Sequence, residues 1–162
     1  MGAKVLILMG SKSDAETMAE ASRVLDALGI PFTTTVSSAH RSPGRTQKLV
    51  REAEKKGYSV IIAGAGMAAH LAGVVAAETV LPVIGVPLAS SPLSGLDALL
   101  STAQMPGGVP VATMAIGKAG AQNAAYLAAQ ILALSDAKLR KKLMERRREM
   151  AKAVAKAAKE IR

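Results

Sequence analysis

Val5-Leu6-Ile7-Leu8-Met9 is an unbroken apolar run that stops at Gly10 and leads, within a few residues, into a helix start. A strand that is apolar at every position must have both of its faces buried, which is the condition of a parallel sheet covered by helices on each side. That one run therefore directs the chain toward the layered α/β architectures. The remainder of the sequence keeps the same rhythm. Ser13-Asp14-Ala15-Glu16 fits a capping box, with Glu16 reaching back to the cap. Met18, Ala21, Leu25 and Leu28 form the stripe of the helix that follows, and Gly29 ends it.

Residues 32–36 read as a second strand, β-branched through Thr33, Thr34 and Thr35. Ser42-Pro43 offers a cap with proline at the first helical position, and predicts a charged, outward-facing helix to about residue 56. A third strand is expected over residues 59–63, a small-residue helix over 68–79, and a fourth strand over 80–86 with Pro82 near its start. Residues 94–103 suggest a short helix, 109–116 a fifth strand, and 119–134 an alanine-rich helix with no polar face. Strands alternating with helices at this spacing imply a three-layer, doubly wound parallel sheet of about five strands. At 162 residues the expectation is a single domain, with residues 1–135 as the α/β core and 136–162 as an extra C-terminal helix.

Half of the residues are apolar, yet no run approaches the roughly 20 apolar residues that span a bilayer. Met1-Gly2-Ala3-Lys4 leads straight into a strand-like run, so no secretory signal is expected there. The absence of cysteine rules out disulfides and thiolate chemistry and fits a reducing, cytoplasmic setting. The net charge of +9 raises the question of nucleic acid. Residues 136–162 carry 11 Lys/Arg against 4 Asp/Glu, whereas the first 135 residues carry 10 against 8. The charge thus belongs to one terminal helix without aromatic residues for base stacking, and it reads as a solvated face, not a nucleic-acid surface. Within that helix Leu139, Leu143, Met150, Val154 and Ile161 recur at intervals of 4, 7, 4 and 7, a narrow apolar seam suited to a neighbouring copy of the chain.

In open parallel sheets, ligands bind beyond the carboxyl ends of the strands, near the switch in strand order. Three loops fall there. The first, Gly10-Ser11-Lys12-Ser13-Asp14, combines close backbone approach, hydroxyls and a helix N-terminus that favours an anion. Asp14 in it either balances the helix dipole or binds sugar hydroxyls. The second, Ser37-Ser38-Ala39-His40-Arg41-Ser42-Pro43, sets a guanidinium suited to phosphate beside an imidazole. The third runs from Ala63-Gly64-Ala65-Gly66 through Met67-Ala68-Ala69 to His70-Leu71, and its small side chains let a ligand lie against backbone N–H groups. Gly-Ala-Gly reads equally well as a tight turn. The only two histidines of the chain, His40 and His70, stand in these loops, and histidine is the side chain that exchanges protons near neutrality without help. Neither a Gly-x-Gly-x-x-Gly fingerprint nor a Walker A sequence occurs, so neither a dinucleotide nor ATP is indicated.

Taken together, these loops resemble those of the N5-carboxyaminoimidazole ribonucleotide mutases of purine biosynthesis. Gly85-Val86-Pro87, Gly95-Leu96-Asp97, Gln104-Met105-Pro106-Gly107-Gly108-Val109-Pro110-Val111 and Asn123-Ala124-Ala125 extend the resemblance across residues 4–135. It implies a flavodoxin-like subunit of a homo-octamer that converts N5-carboxyaminoimidazole ribonucleotide to 4-carboxy-5-aminoimidazole ribonucleotide, without a metal or organic cofactor. It also implies His40 as the acid/base and Ser11, Asp14 and Arg41 as substrate-binding residues. Ser13, Ser38, Ala39, Gly64, Ala65, Ala68, His70 and Leu71 join them as expected substrate contacts, with His70 in a supporting role. On chemical grounds, Arg41 and the hydroxyls suit phosphate and Asp14 suits ribose. Two residues depart from the family pattern: Ala72 stands where proline is usual, and Met67 where a smaller residue, often glycine, is usual. The related carboxylases, which use aminoimidazole ribonucleotide and free CO2, carry Ser-Ala-His-Lys and lack the Ala-Ala-His-Leu loop, so Arg41 and His70 favour the mutase. A non-catalytic nucleotide-binding module on the same fold is the remaining alternative.

Overall fold

The computed structural model describes residues 4–161. Five parallel strands form one sheet: β1 (Lys4–Met9), β2 (Phe32–Val36), β3 (Tyr58–Gly66), β4 (Val83–Leu88) and β5 (Ala112–Thr113), in the order β2-β1-β3-β4-β5. The expected doubly wound α/β fold is therefore the observed one. Successive residues of β1 point to opposite faces. Val5, Ile7 and Met9 enter a core shared with α1 (Ala15–Leu28) and α5 (Lys118–Leu132), while Leu6 and Leu8 enter a second core against α2 (Pro43–Ala53) and α3 (Leu71–Ala77). The apolar run with which β1 begins is thus divided between two cores, each burying Ile or Leu side chains worth about 1.5–3 kcal/mol apiece.

The alanines of α5 have a packing role. Ala121, Ala124, Ala125, Ala128 and Ala129 are fully buried and bring this helix close against α1 and the sheet. Gln122, Asn123 and Gln130 give it the exposed face that the alanine content conceals. α4 (Leu96–Ala103) covers the far end of the sheet, and α6 (Ala137–Glu160) is capped by Asp136, whose carboxylate accepts the N–H groups of Lys138 and Leu139. Leu139 is the one fully packed residue of α6, and Lys142 Nζ donates to the carbonyl of Leu28 at 2.9 Å. Beyond that anchor, Met150, Val154 and Ile161 of the seam are exposed.

Several boundaries differ from the sequence expectation, each for a physical reason. The capping box lies two residues earlier, at Ser11 and Asp14: the Asp14 carboxylate accepts the Ser11 N–H at 2.8 Å, and Glu16 points outward to Lys118. Ser42 does not cap α2 through its side chain, because its hydroxyl is committed to the Ser38 carbonyl. β3 runs three residues past the expected end, so Gly64-Ala65-Gly66 is strand paired with Val86, Pro87 and Leu88, not a turn. α3 starts only at Leu71, after a tight turn in which the His70 N–H donates to the Ala68 carbonyl. β4 starts at Val83, after Pro82, which offers a carbonyl to Ile61 but has no N–H to give. β5 is two residues long, confined between Pro110 and the point where Pro87 ends the donors of β4.

Gly120 lies where α5 meets the Ala115 backbone, and a Cβ there would fall 1.6 Å from the Ala115 carbonyl oxygen. Gly44, in the first turn of α2, has open space around it. Gly120→Ala is expected to lose about 1–3 kcal/mol and Gly44→Ala to gain roughly 0.5–1 kcal/mol, read as opposite shifts of the urea midpoint.

Candidate active site

The chain leaves β1 for β2 on one side and returns to β3 on the other, so the loops after β1 and β3 diverge. A cavity of about 500 Å³ opens at this switch point, lined by the carboxyl ends of β1, β2 and β3 and by Ser90 after β4. Its floor is drawn together by backbone bonds: the Gly10 N–H donates to the Gly64 carbonyl, and the Ser37 N–H to the Met9 carbonyl.

The β1 loop supplies Gly10, Ser11, Ser13 and Asp14. Ser11 Oγ receives the Ser13 hydroxyl at 3.0 Å, which keeps both side chains on the cavity side of the turn. Asp14 is buried. Burial pushes its carboxyl above the ordinary carboxylate range, and the bond from Ser11 and the charge of Arg41 only partly oppose this. Both readings of Asp14 thus have a physical basis: it caps the first turn and also lines the cavity.

The β2 loop is held by hydroxyls. Ser37, buried, pairs with Thr46 at 2.8 Å, and Thr46 donates in turn to the Ser42 carbonyl. The Ser42 N–H and hydroxyl both reach the Ser38 carbonyl, while the Ser38 N–H donates back to Ser42 Oγ. This closed turn presents Ala39, His40 and Arg41 to the cavity. Arg41 donates from Nη2 to the Gly10 carbonyl at 3.2 Å, and its own N–H bonds Ser38 Oγ. The guanidinium therefore bridges the first two loops with further N–H donors unspent.

The β3 loop brings Ala65, Gly66, Met67, Ala68, His70 and Leu71 to the cavity. Gly64 does not line it. A Cβ at that position would meet Met18 Sδ at 2.3 Å, so the glycine there serves the contact between sheet and α1. Gly66 is small because Ser90 Oγ lies 1.7 Å from where its Cβ would stand. Gly10, Gly66, Met67 and Ser90 are lining residues that sequence reasoning did not select as contacts; Ser90 carries no motif, and only the strand order places it there.

The two imidazoles meet. His40 Nε2 lies 2.8 Å from His70 Nδ1, with ring centroids 4.8 Å apart and the planes at 78°. One nitrogen of the pair must donate and the other accept. Two N–H groups cannot face one another across this contact, so the two rings differ in which nitrogen carries the hydrogen between them. Among the described residues, no group of three or more His, Asp or Glu gathers as a metal site.

A family model described as AIR carboxylase matches residues 4–153. The chain belongs to the AIR carboxylase family. Relatives of this AIR carboxylase family chain include proteins named N5-carboxyaminoimidazole ribonucleotide mutase from Bacillus subtilis, 58% identical over 141 residues and 87% of each chain. The Escherichia coli protein of the same name is 54% identical over 146 residues, 90% of this chain and 86% of its own. A crystal structure of a Treponema denticola PurE2 variant superposes with a TM-score of 0.90 over 99% of this chain and 98% of that one, at 26% identity.

Because Asp14 is harder to ionise in the folded chain than in the unfolded one, folding takes up protons at this residue and stability falls as pH rises through the window above its ordinary value. Asp14→Asn keeps the acceptor for Ser11 without the buried charge. Its melting temperature is expected to exceed that of the parent at pH 7 and to converge with it below about pH 4, where the carboxyl is protonated in both states. Thermal melts across that range check the sign.

Proposed function

We infer that the chain is an N5-carboxyaminoimidazole ribonucleotide mutase of purine biosynthesis, moving the carboxyl group from the exocyclic nitrogen to ring carbon C4. The names of its relatives at 54–58% identity support this reading over the carboxylase. The observation that carries the mechanism is the His40–His70 contact at the rim of a cavity fed by three strand ends. His40 gives a proton to the nitrogen as the C–N bond breaks and CO2 departs. The electron-rich C4 then attacks that CO2, and His40 recovers the proton that C4 sheds. One proton leaves and one returns, so a single imidazole serves both transfers. His70 is a positioning residue: its Nδ1 fixes the His40 ring between the two transfers.

Arg41, with Ser11, Ser13 and Ser38, is suited to the phosphate, and Asp14 to the ribose hydroxyls. Ala65, Ala68 and Leu71 line the end of the cavity where the carboxyl group moves, with small or fixed apolar side chains. A non-catalytic module would have no use for joined imidazoles beside an anion-binding guanidinium.

The chain works as one catalytic domain, residues 1–135 as the core and 136–162 as a helix seated on a neighbouring copy within a cytoplasmic homo-octamer. The exposed Met150, Val154 and Ile161, spaced along a helix anchored at one end only, support the neighbour. Among the described residues no helix is long and apolar enough to cross a membrane.

His40→Asn is expected to lower turnover by about 100- to 10,000-fold while leaving substrate affinity within a few-fold. The parent should convert N5-carboxyaminoimidazole ribonucleotide without added bicarbonate and leave aminoimidazole ribonucleotide plus bicarbonate nearly untouched; the reverse preference would establish the carboxylase. Sedimentation of the full chain should show an assembly of many times 16.6 kDa, and a monomer there removes the role given to α6.

A further inference from the structure

Met67 holds a conformation that its side chain does not favour. Its φ is 55°, a left-handed geometry that glycine enters freely and a residue with a Cβ enters at a cost. Burial does not offset that cost: Met67 is 60% exposed and belongs to neither core. Backbone strain without packing gain, on the wall of a cavity, is characteristic of a position retained for what it does. Its neighbours in that wall, Gly66, Ala68 and Ser90, are all small. Leu71, the other large apolar residue there, is buried and fixed. Met67 is therefore the single long, flexible apolar side chain among the described lining residues.

The mutase reading creates a need for such a group. Between cleavage of the C–N bond and formation of the C–C bond, CO2 is uncharged and has no net dipole, so fixed charges and hydrogen bonds hold it poorly. What keeps it in place is dispersion contact and closure of the exit. A polarizable thioether on an unbranched chain adapts to that task better than a stiff side chain does. We propose that Met67 is an apolar flap over the carboxyl end of the cavity, retaining CO2 until C4 captures it. This rests on the decarboxylation–recarboxylation mechanism above. The chemistry is unchanged: the C–N electron pair stays on nitrogen with the proton from His40, the C4 pair forms the new C–C bond, and the C4 proton returns to His40. Escape of CO2 in the interval leaves aminoimidazole ribonucleotide as a by-product, which measures the flap directly.

The test follows a carboxyl-labelled substrate in excess unlabelled bicarbonate, counting label retained in the product and aminoimidazole ribonucleotide released per turnover. Met67→Gly is expected to lose label and release by-product several-fold more than the parent, and to melt about 2–4 °C higher because the left-handed turn suits glycine. Met67→Leu should restore most of the retention. Label retention equal to the parent in Met67→Gly overturns the flap, as does a parent that itself exchanges all of its label while converting substrate. A melting temperature that falls in Met67→Gly overturns the strain on which the assignment stands. A parent that does not convert the labelled substrate at all removes the mutase reading itself, an outcome separate from the others.

Discussion

The pairing of β1 with β3 is the constraint from which the site follows. These two strands are adjacent in the sheet, yet one is followed by a crossover toward β2 and the other by a crossover toward β4. Their loops must part, and the parting makes the cavity. The bond from the Gly10 N–H to the Gly64 carbonyl keeps the floor closed at the point of divergence. Arg41 then ties the β2 loop to the same Gly10 through its carbonyl. If the register of β1 on β3 slipped by one residue, every apolar side chain of β1 would exchange cores, so the packing that stabilises the fold also fixes the site.

Much of this was legible in the sequence where patterns are local. The apolar run of β1, the stripe of α1 and its left-handed Gly29 occur where they were expected. So do the three loops, and all but Gly64 of the residues selected in them line one cavity. Several of the misreadings involve a partner distant in the chain, and the rest a choice between near-equal local bonds. Gly64-Ala65-Gly66 has turn composition, and only the side chains of Met18 and Ser90 reveal why a strand must be small there. The length of β5 depends on Pro87 in the next strand. The Ser11–Asp14 box and the Ser13–Glu16 box are equally good on paper, and the bend of the chain out of β1 decides between them. The meeting of two imidazoles 30 residues apart is a tertiary fact with no local trace.

The site is also where the fold accepts cost. Asp14 carries a carboxyl whose ionisation burial opposes, and Met67 a backbone angle that its side chain opposes. Neither is needed to close a core, and cavities for small ligands commonly concentrate such compromises. Besides Arg41, the anchors of the His40 loop are uncharged: Ser37, Thr46, Ser38 and Ser42 hold it by hydroxyl bonds of 2.8 to 3.3 Å.

The joined imidazoles come from loops at the ends of two strands that do not touch, with β1 between them. Their alignment therefore reports on a span of three strands, and it exists only once both crossovers have docked. A chain with one crossover undocked would lack this contact, whatever the state of its other elements. The contact is in that sense a marker of completion: it joins two crossovers that no single strand pairing holds together.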